Sequence, residues 1–173
     1  MKHDTEALIR DVHDFPKQGI MFKDITPVLA DAGAFADVVA DLAAPFRDER
    51  VTHVAGIEAR GFILATPVAT TLGAGFVPIR KPGKLPYDVR RIEYSLEYGT
   101  DTLELHSDAV GEGDRVLIVD DVIATGGTAA AALDLIESLG AHVVGFATYV
   151  ELVALQGRDR LNGCRTHALV RYD

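Results

Sequence analysis

The stretch "VLIVDDVIATGGT", Val116 to Thr128, decides how the chain is read. Four apolar residues in succession, Val116, Leu117, Ile118 and Val119, suit a strand covered on both faces. Two carboxylates, Asp120 and Asp121, follow at once, and then a loop of small residues, Ala124, Thr125, Gly126, Gly127 and Thr128. Behind the loop, "TAAAALDLIESLG" has helical spacing and closes at Gly140. A helix starting on Thr-Gly-Gly-Thr offers exposed N–H groups, two hydroxyls and the positive end of its dipole, which together receive a phosphate. The pattern is neither GxxxxGKS/T nor GxGxxG, so the nucleotide-triphosphatase and dinucleotide readings lose support. For the loop alone, a glycine-rich turn with Thr as N-cap stays open.

The two acids narrow this. Carboxylates only accept hydrogen bonds, so they suit a ligand that offers hydroxyls and repel a bare phosphate. A sugar with neighbouring hydroxyls, carrying its phosphate one sugar-length away, satisfies both halves of the stretch. Asp120 and Asp121 then address the sugar, and residues 124–128 address the phosphate.

Composition sets the frame. The chain has 173 residues, 48% hydrophobic and 25% charged, the profile of an ordinary globular protein and most simply one domain. A net charge of −9 argues against bulk binding to nucleic acid or an anionic membrane. No apolar run approaches a membrane span, and the opening "MKHDTEALIRDVHDF" lacks the apolar centre of a signal peptide. The single cysteine, Cys164, permits no intrachain disulfide and reads as a small buried hydrophobe. A cytoplasmic protein is expected. Against this acidic background, "RKPGKLPYDVRR" (80–91) gathers Arg80, Lys81, Lys84, Arg90 and Arg91 around one acid. That run is either a solvated loop or the seat of a small, highly anionic ligand.

The rest of the chain alternates. "DTEALIRDVHDF" is helix-like, "FPKQGIMF" is turn-rich and extended, and "GAFADVVADLAAPF" carries an apolar stripe at helical spacing. "THVAGIEA" and "AGFVPI" read as strands around a helix, "GFILATPVATTLG", capped by Gly73 and interrupted by Pro67. "RRIEYSLEYGTDTLELH" suggests two antiparallel strands turning at Gly99-Thr100; "HVVGFATYV" and "THALVRY" complete the strands. The fold class expected is α/β, a mainly parallel twisted sheet flanked by helices. In such sheets ligands bind beyond the carboxyl ends of strands, where Glu58-Ala59-Arg60-Gly61 and Asp120-Asp121 both lie, the acids at an exposed strand end.

Acid-acid-x-x-x-T-G-G-T behind an apolar strand resembles the phosphoribosyl-pyrophosphate (PRPP) motif of the type I phosphoribosyltransferases. Three further stretches, "DFPKQGIMFKDITPVL" (14–29), "GIEARGFILATPVA" (56–69) and 75–106, are similar to the adenine-specific branch of that family. The likeness continues to "YVELVALQGRDRL", ending near residue 161. It implies a purine salvage transferase using adenine, PRPP and Mg2+, folded as one domain with an N-terminal hood (1–32) and a flexible lid hairpin (80–106).

The resemblance also assigns roles. Asp120, Asp121, Ala124, Thr125, Gly126, Gly127 and Thr128 would hold ribose and 5′-phosphate, with Mg2+ reached by Asp120 and Asp121 through water or PRPP. Glu58, Ala59, Arg60, Gly61, Arg80, Lys81 and Lys84 would hold pyrophosphate, with a cis peptide expected at Glu58–Ala59. Arg60 also counts among the catalytic residues, with Glu97 and Tyr98 on the lid for closure and proton handling. Met21, Phe22, Lys23 and Leu152 would border adenine, although Met21 is bulkier than the small aliphatic residue usual there. The implied assembly is a homodimer in which Arg80 acts across the interface. The alternatives are a transferase for another base, or a PRPP-sensing regulator that keeps the fold without the catalysis.

Overall fold

The computed structural model describes residues 3–96 and 99–173. The chain divides into two compact units, Met1–Asp41 and Leu42–Asp173.

In the first unit the helix expected over 4–15 does not form. A single 3-10 turn at Glu6–Leu8 gives way to strand β1 (Arg10–His13), which pairs antiparallel with β2 (Met21–Asp24), Arg10 opposite Asp24 and His13 opposite Met21. Tertiary pairing overrides the local helical pattern, and charge supports the register: Lys23 Nζ lies 2.6 Å from Asp11 Oδ1, and Arg10 Nη1 lies 3.8 Å from Asp24 Oδ2. The intervening segment is the turn-rich stretch expected, closed where the Gly19 N–H donates to Asp14 Oδ1 at 2.7 Å. Helices α1 (Thr26–Ala30) and α2 (Ala32–Ala43) follow, so this unit extends the expected 1–32 segment through most of α2.

The second unit is built on a five-stranded sheet. Strand β3 (His53–Ile57) leads through α3 (Gly61–Leu72) to β4 (Gly75–Ile79). An antiparallel hairpin, β5 (Val89–Leu96) and β6 (Gly99–His106), precedes β7 (Arg115–Ile123), α4 (Gly127–Glu137), β8 (His142–Leu152) and β9 (Thr166–Tyr172). The sheet order is β4-β3-β7-β8-β9, and every adjacent pair is parallel. Val116 to Val119 are fully buried at its centre, as the apolar run requires. Cys164 is only half-buried.

Two local expectations needed refinement. Helix α3 runs through Pro67, which surrenders the bond to the Ile63 carbonyl on the exposed side of the helix; Gly73 then caps it in the left-handed region (φ 67°). Gly99 and Thr100 do not form the hairpin turn but begin β6, with Leu96 opposite Gly99. The link falls on residues 97–98, outside the described residues.

Sheet order positions the site. From β3 the chain steps outward to β4, then returns to place β7 on the other side of β3. The β3–β7 ladder ends at Gly56–Val119, whereas β7 stays paired with β8 as far as Ile123–Glu151. The strands thus part just before Asp120, opening a crevice at a topological switch point.

Candidate active site

An open cleft of about 500 Å³ fills that crevice. It is lined by Ile57 to Arg60 from the end of β3, by Lys81, and by Asp120 to Ala129 from β7 and the start of α4. The two stretches nominated for pyrophosphate and for ribose phosphate therefore face one space.

An ion pair joins them. Arg60, at the N-cap of α3, places Nε 2.6 Å from Asp121 Oδ2. The Asp121 side chain is only 8% exposed, so the expected exposed strand end is corrected: the β7–β8 pairing continues past this residue and Arg60 covers its carboxylate. Asp120 keeps part of its surface open to the cleft, and its Oδ1 accepts the Asp121 N–H at 2.9 Å. Burial, and then the negative charge of Asp121, push the Asp120 carboxyl well above the usual carboxylate range. Such a group gains from hydroxyl donors or positive charge arriving with a ligand. Gly61 begins α3 against this carboxyl; an added Cβ would lie 2.8 Å from Asp120 Oδ1. The Glu58–Ala59 peptide is cis, as expected.

The loop after the acids has the conformation its glycines suggest. Gly126 takes φ 78° as the N-cap of α4, and no side chain caps that end, which leaves the first-turn N–H groups to a ligand. The Thr N-cap reading is thereby replaced. A Cβ added at Gly126 would stand 2.1 Å from the Gly157 carbonyl oxygen, so the loop is moulded against a backbone that sequence reasoning did not single out.

Arg80, Lys81 and Lys84 of the basic run are held by acids, and Arg90 and Arg91 are exposed. Arg80 leaves β4 and bridges Glu104 of β6, its N–H donating to the Glu104 carbonyl at 2.9 Å, which hangs the hairpin on the sheet edge. Its Nε donates to Glu58 Oε2 at 3.2 Å, the Lys81 N–H donates to the same oxygen at 3.0 Å, and Lys84 Nζ pairs with Glu58 Oε1. Lys81 Nζ pairs with Asp101 and lies 3.3 Å from Tyr94 Oη, which reaches Thr128 Oγ1 at 3.2 Å. Burial alone would lower the Lys81 pKa, but Asp101 and Tyr94 raise it above the ordinary lysine value. Tyr94 and Asp101 were missed in the sequence, although their cross-strand register makes them partners.

Burial pulls the Glu58 carboxyl upward, yet Lys84, the Lys81 N–H and Arg80 outweigh it and hold the pKa at about 2. Because the folded value lies below the ordinary 4.5, Glu58 contributes stability that is complete above that pH and lost as pH falls towards about 2. Acid melting curves should therefore show the parent chain losing its advantage over a Glu58→Gln variant across this window. Curves that run parallel there would defeat the assignment.

The remaining candidates are placed as follows. Met21, Phe22 and Lys23 form most of β2 in the first unit, with Phe22 edge-on to Phe15 at 5.0 Å and Lys23 paired with Asp11. Leu152 closes β8 in the second unit and is half-buried. Glu97 and Tyr98 lie outside the described residues.

This geometry has close relatives. The phosphoribosyl transferase domain family matches residues 28–163. The adenine phosphoribosyltransferase of Methylococcus capsulatus is 57% identical over 166 residues, 96% of this chain and 97% of that protein. The crystal structure of the enzyme of that name from Thermoanaerobacter pseudethanolicus superposes with a TM-score of 0.95 at 50% identity, covering 98% of each chain. The Giardia lamblia enzyme, solved in complex with 9-deazaadenine, gives 0.93 at 40% identity over 98% of this chain and 97% of its own. A parallel sheet with this switch point, two loops facing one cleft, and 57% identity over nearly the full length lead to one conclusion: the chain belongs to the adenine phosphoribosyltransferases of the phosphoribosyl transferase family.

Proposed function

We propose a division of labour for the reaction of this family, in which adenine and PRPP give AMP and pyrophosphate as a step of purine salvage. The observation that carries it is the single cleft shared by residues 58–60, Lys81 and 120–129. PRPP lies across it, its 5′-phosphate on the N–H groups of 124–128 and its ribose hydroxyls on Asp120 and Asp121. Its pyrophosphate rests against Arg60 and the 58–61 backbone.

The new bond joins adenine N9 to C1′ as the C1′–oxygen bond to pyrophosphate breaks, and the bonding pair departs with the leaving group. Arg60, Arg80, Lys81 and Lys84 receive that charge. For the last three this means exchanging Glu58 and Asp101 for pyrophosphate oxygens as the lid closes. The resemblance assigns Met21, Phe22 and Lys23, and also Leu152, to adenine, whose N9 proton passes to Glu97, with Tyr98 assisting closure.

Asp120 and Asp121 are two acids at the cleft, and no group of three potential metal ligands occurs among the described residues. That donor set fits Mg2+ carried in on PRPP and touched by the acids through water. When bound, Mg2+ neutralises charge on the departing pyrophosphate. A homodimer is proposed from the edge strand: Phe76 (37%) and Ile63 (44%) are exposed beside Phe62, over which the Arg80 guanidinium lies at 5.9 Å. A second copy covering this patch would let Arg80 serve the neighbouring site. A cytoplasmic location completes the reading, with neither nucleic acid nor membrane as partner.

Purified protein with PRPP, Mg2+ and adenine, hypoxanthine, guanine or orotate tests it. AMP is expected from adenine alone, and chelation of the metal should stop its formation until Mg2+ is restored. Product from another base would overturn the base assignment while keeping the PRPP site. PRPP binding without product from any base would make the chain a sensor.

A further inference from the structure

We infer that the turn Gly157–Leu161 is a second wall of the 5′-phosphate site, and that Arg160 is a phosphate-binding residue. The inference rests on residues 124–128 being the loop that holds that phosphate. Nothing in the acid-acid-x-x-x-T-G-G-T pattern points to this turn, which lies some thirty residues further on in "ALQGRDRL".

The turn and the loop meet backbone to backbone. A Cβ at Gly157 would stand 2.2 Å from the Ala124 carbonyl oxygen and 2.7 Å from the Gly126 nitrogen, so only glycine admits this approach from its side. The turn is then braced from behind. Arg158 makes a two-point pair with the buried Glu151, Nε to Oε1 at 3.0 Å and Nη2 to Oε2 at 2.5 Å, and donates to the Thr166 carbonyl at 3.0 Å. Leu161 is 1% exposed in the core, and Gln156 and Asn162 bound the turn in left-handed conformations.

A turn held this firmly fixes where its two exposed side chains, Asp159 and Arg160, project. Arg160 Nη1 lies 3.5 Å from where a Cβ on Gly127 would be, beside the first residue of α4. Arg160 is exposed, and no acid neutralises it among the described residues. Its neighbour Arg158, by contrast, is consumed by Glu151. A guanidinium without a counterion, set beside uncapped helix N–H groups, suits a phosphate monoester dianion. It also offsets the repulsion that Asp120 and Asp121 would exert on that dianion.

Calorimetric titration of the full chain with ribose 5-phosphate, and separately with pyrophosphate, tests the assignment. Arg160→Met should weaken ribose 5-phosphate binding about tenfold, the effect of one charge-assisted contact, leaving pyrophosphate affinity and Tm unchanged. Arg160→Lys should recover part of the loss. Unchanged ribose 5-phosphate affinity in Arg160→Met would overturn the role of Arg160, as would an equal loss for both ligands. A Thr125→Ala/Thr128→Ala variant separates the two levels. If it loses ribose 5-phosphate while Arg160→Met does not, the second wall fails and the loop stands; if it binds as the parent does, the loop reading fails and the inference with it.

Discussion

Arg60→Met slows AMP formation about a hundred- to a thousandfold, the range typical for removing a charge that stabilises a developing anion. Two consequences of the change have to be separated. The first is loss of the guanidinium facing the departing pyrophosphate. The second is that Asp121 keeps a buried carboxylate without the partner now 2.6 Å away. Removing one member of a fully buried pair costs about 3–5 kcal/mol, but the Arg60 side chain is 37% exposed, so about 1–2 kcal/mol is expected here. Asp121→Asn in the Arg60→Met background removes the stranded charge while conserving shape. The double variant should regain Tm and remain far slower than Asp121→Asn alone, which carries whatever rate is lost with the carboxylate itself. A double variant that matches Asp121→Asn in both rate and Tm would reduce Arg60 to a counterion for Asp121 and remove it from the chemistry.

Gly126→Ala should raise KM for PRPP about a hundredfold while adenine binding to the free chain is retained. At φ 78° a Cβ is strained by about 1–2 kcal/mol before any contact is considered. Its position 2.1 Å from the Gly157 carbonyl oxygen then forbids the conformation outright, because the obstacle is backbone and cannot rotate aside. The loop must shift by roughly 1 Å, and a misplacement of that size in a positioning element costs about two orders of magnitude. Steady-state titration of each substrate, with Tm alongside, checks this. An unchanged KM for PRPP would mean that the loop does not hold the 5′-phosphate in this conformation.

Much of the second unit was legible because its signals are local. Val116 to Val119 suited a doubly covered strand, and the small residues behind it suited the start of a helix. Alternating strands and helices then required a parallel sheet, whose ligands sit at the strand ends for reasons of backbone polarity. The chemistry of carboxylates, hydroxyls and helix N-termini was likewise written in residue types, and it brought Asp120, Asp121 and 124–128 to the site without coordinates.

Pairing between distant residues was not legible. Residues 10–13 carry a helical pattern but become a strand because Asp11 and Arg10 find Lys23 and Asp24 opposite them. Asp121 looked exposed at its strand end, yet β8 runs on beside it and Arg60 reaches over from α3. The basic run resembled a solvated loop until Glu58 and Asp101 were found holding its cations. Gly157 and Arg160 lie in a stretch whose likeness was noted but drew no role there, since close backbone approach leaves no mark in residue type beyond a single glycine. Local propensity and residue chemistry act over a few positions and belong to the sequence. Counterions, burial and the contact between Gly126 and Gly157 depend on which segments fold against each other, and only the tertiary structure sets that.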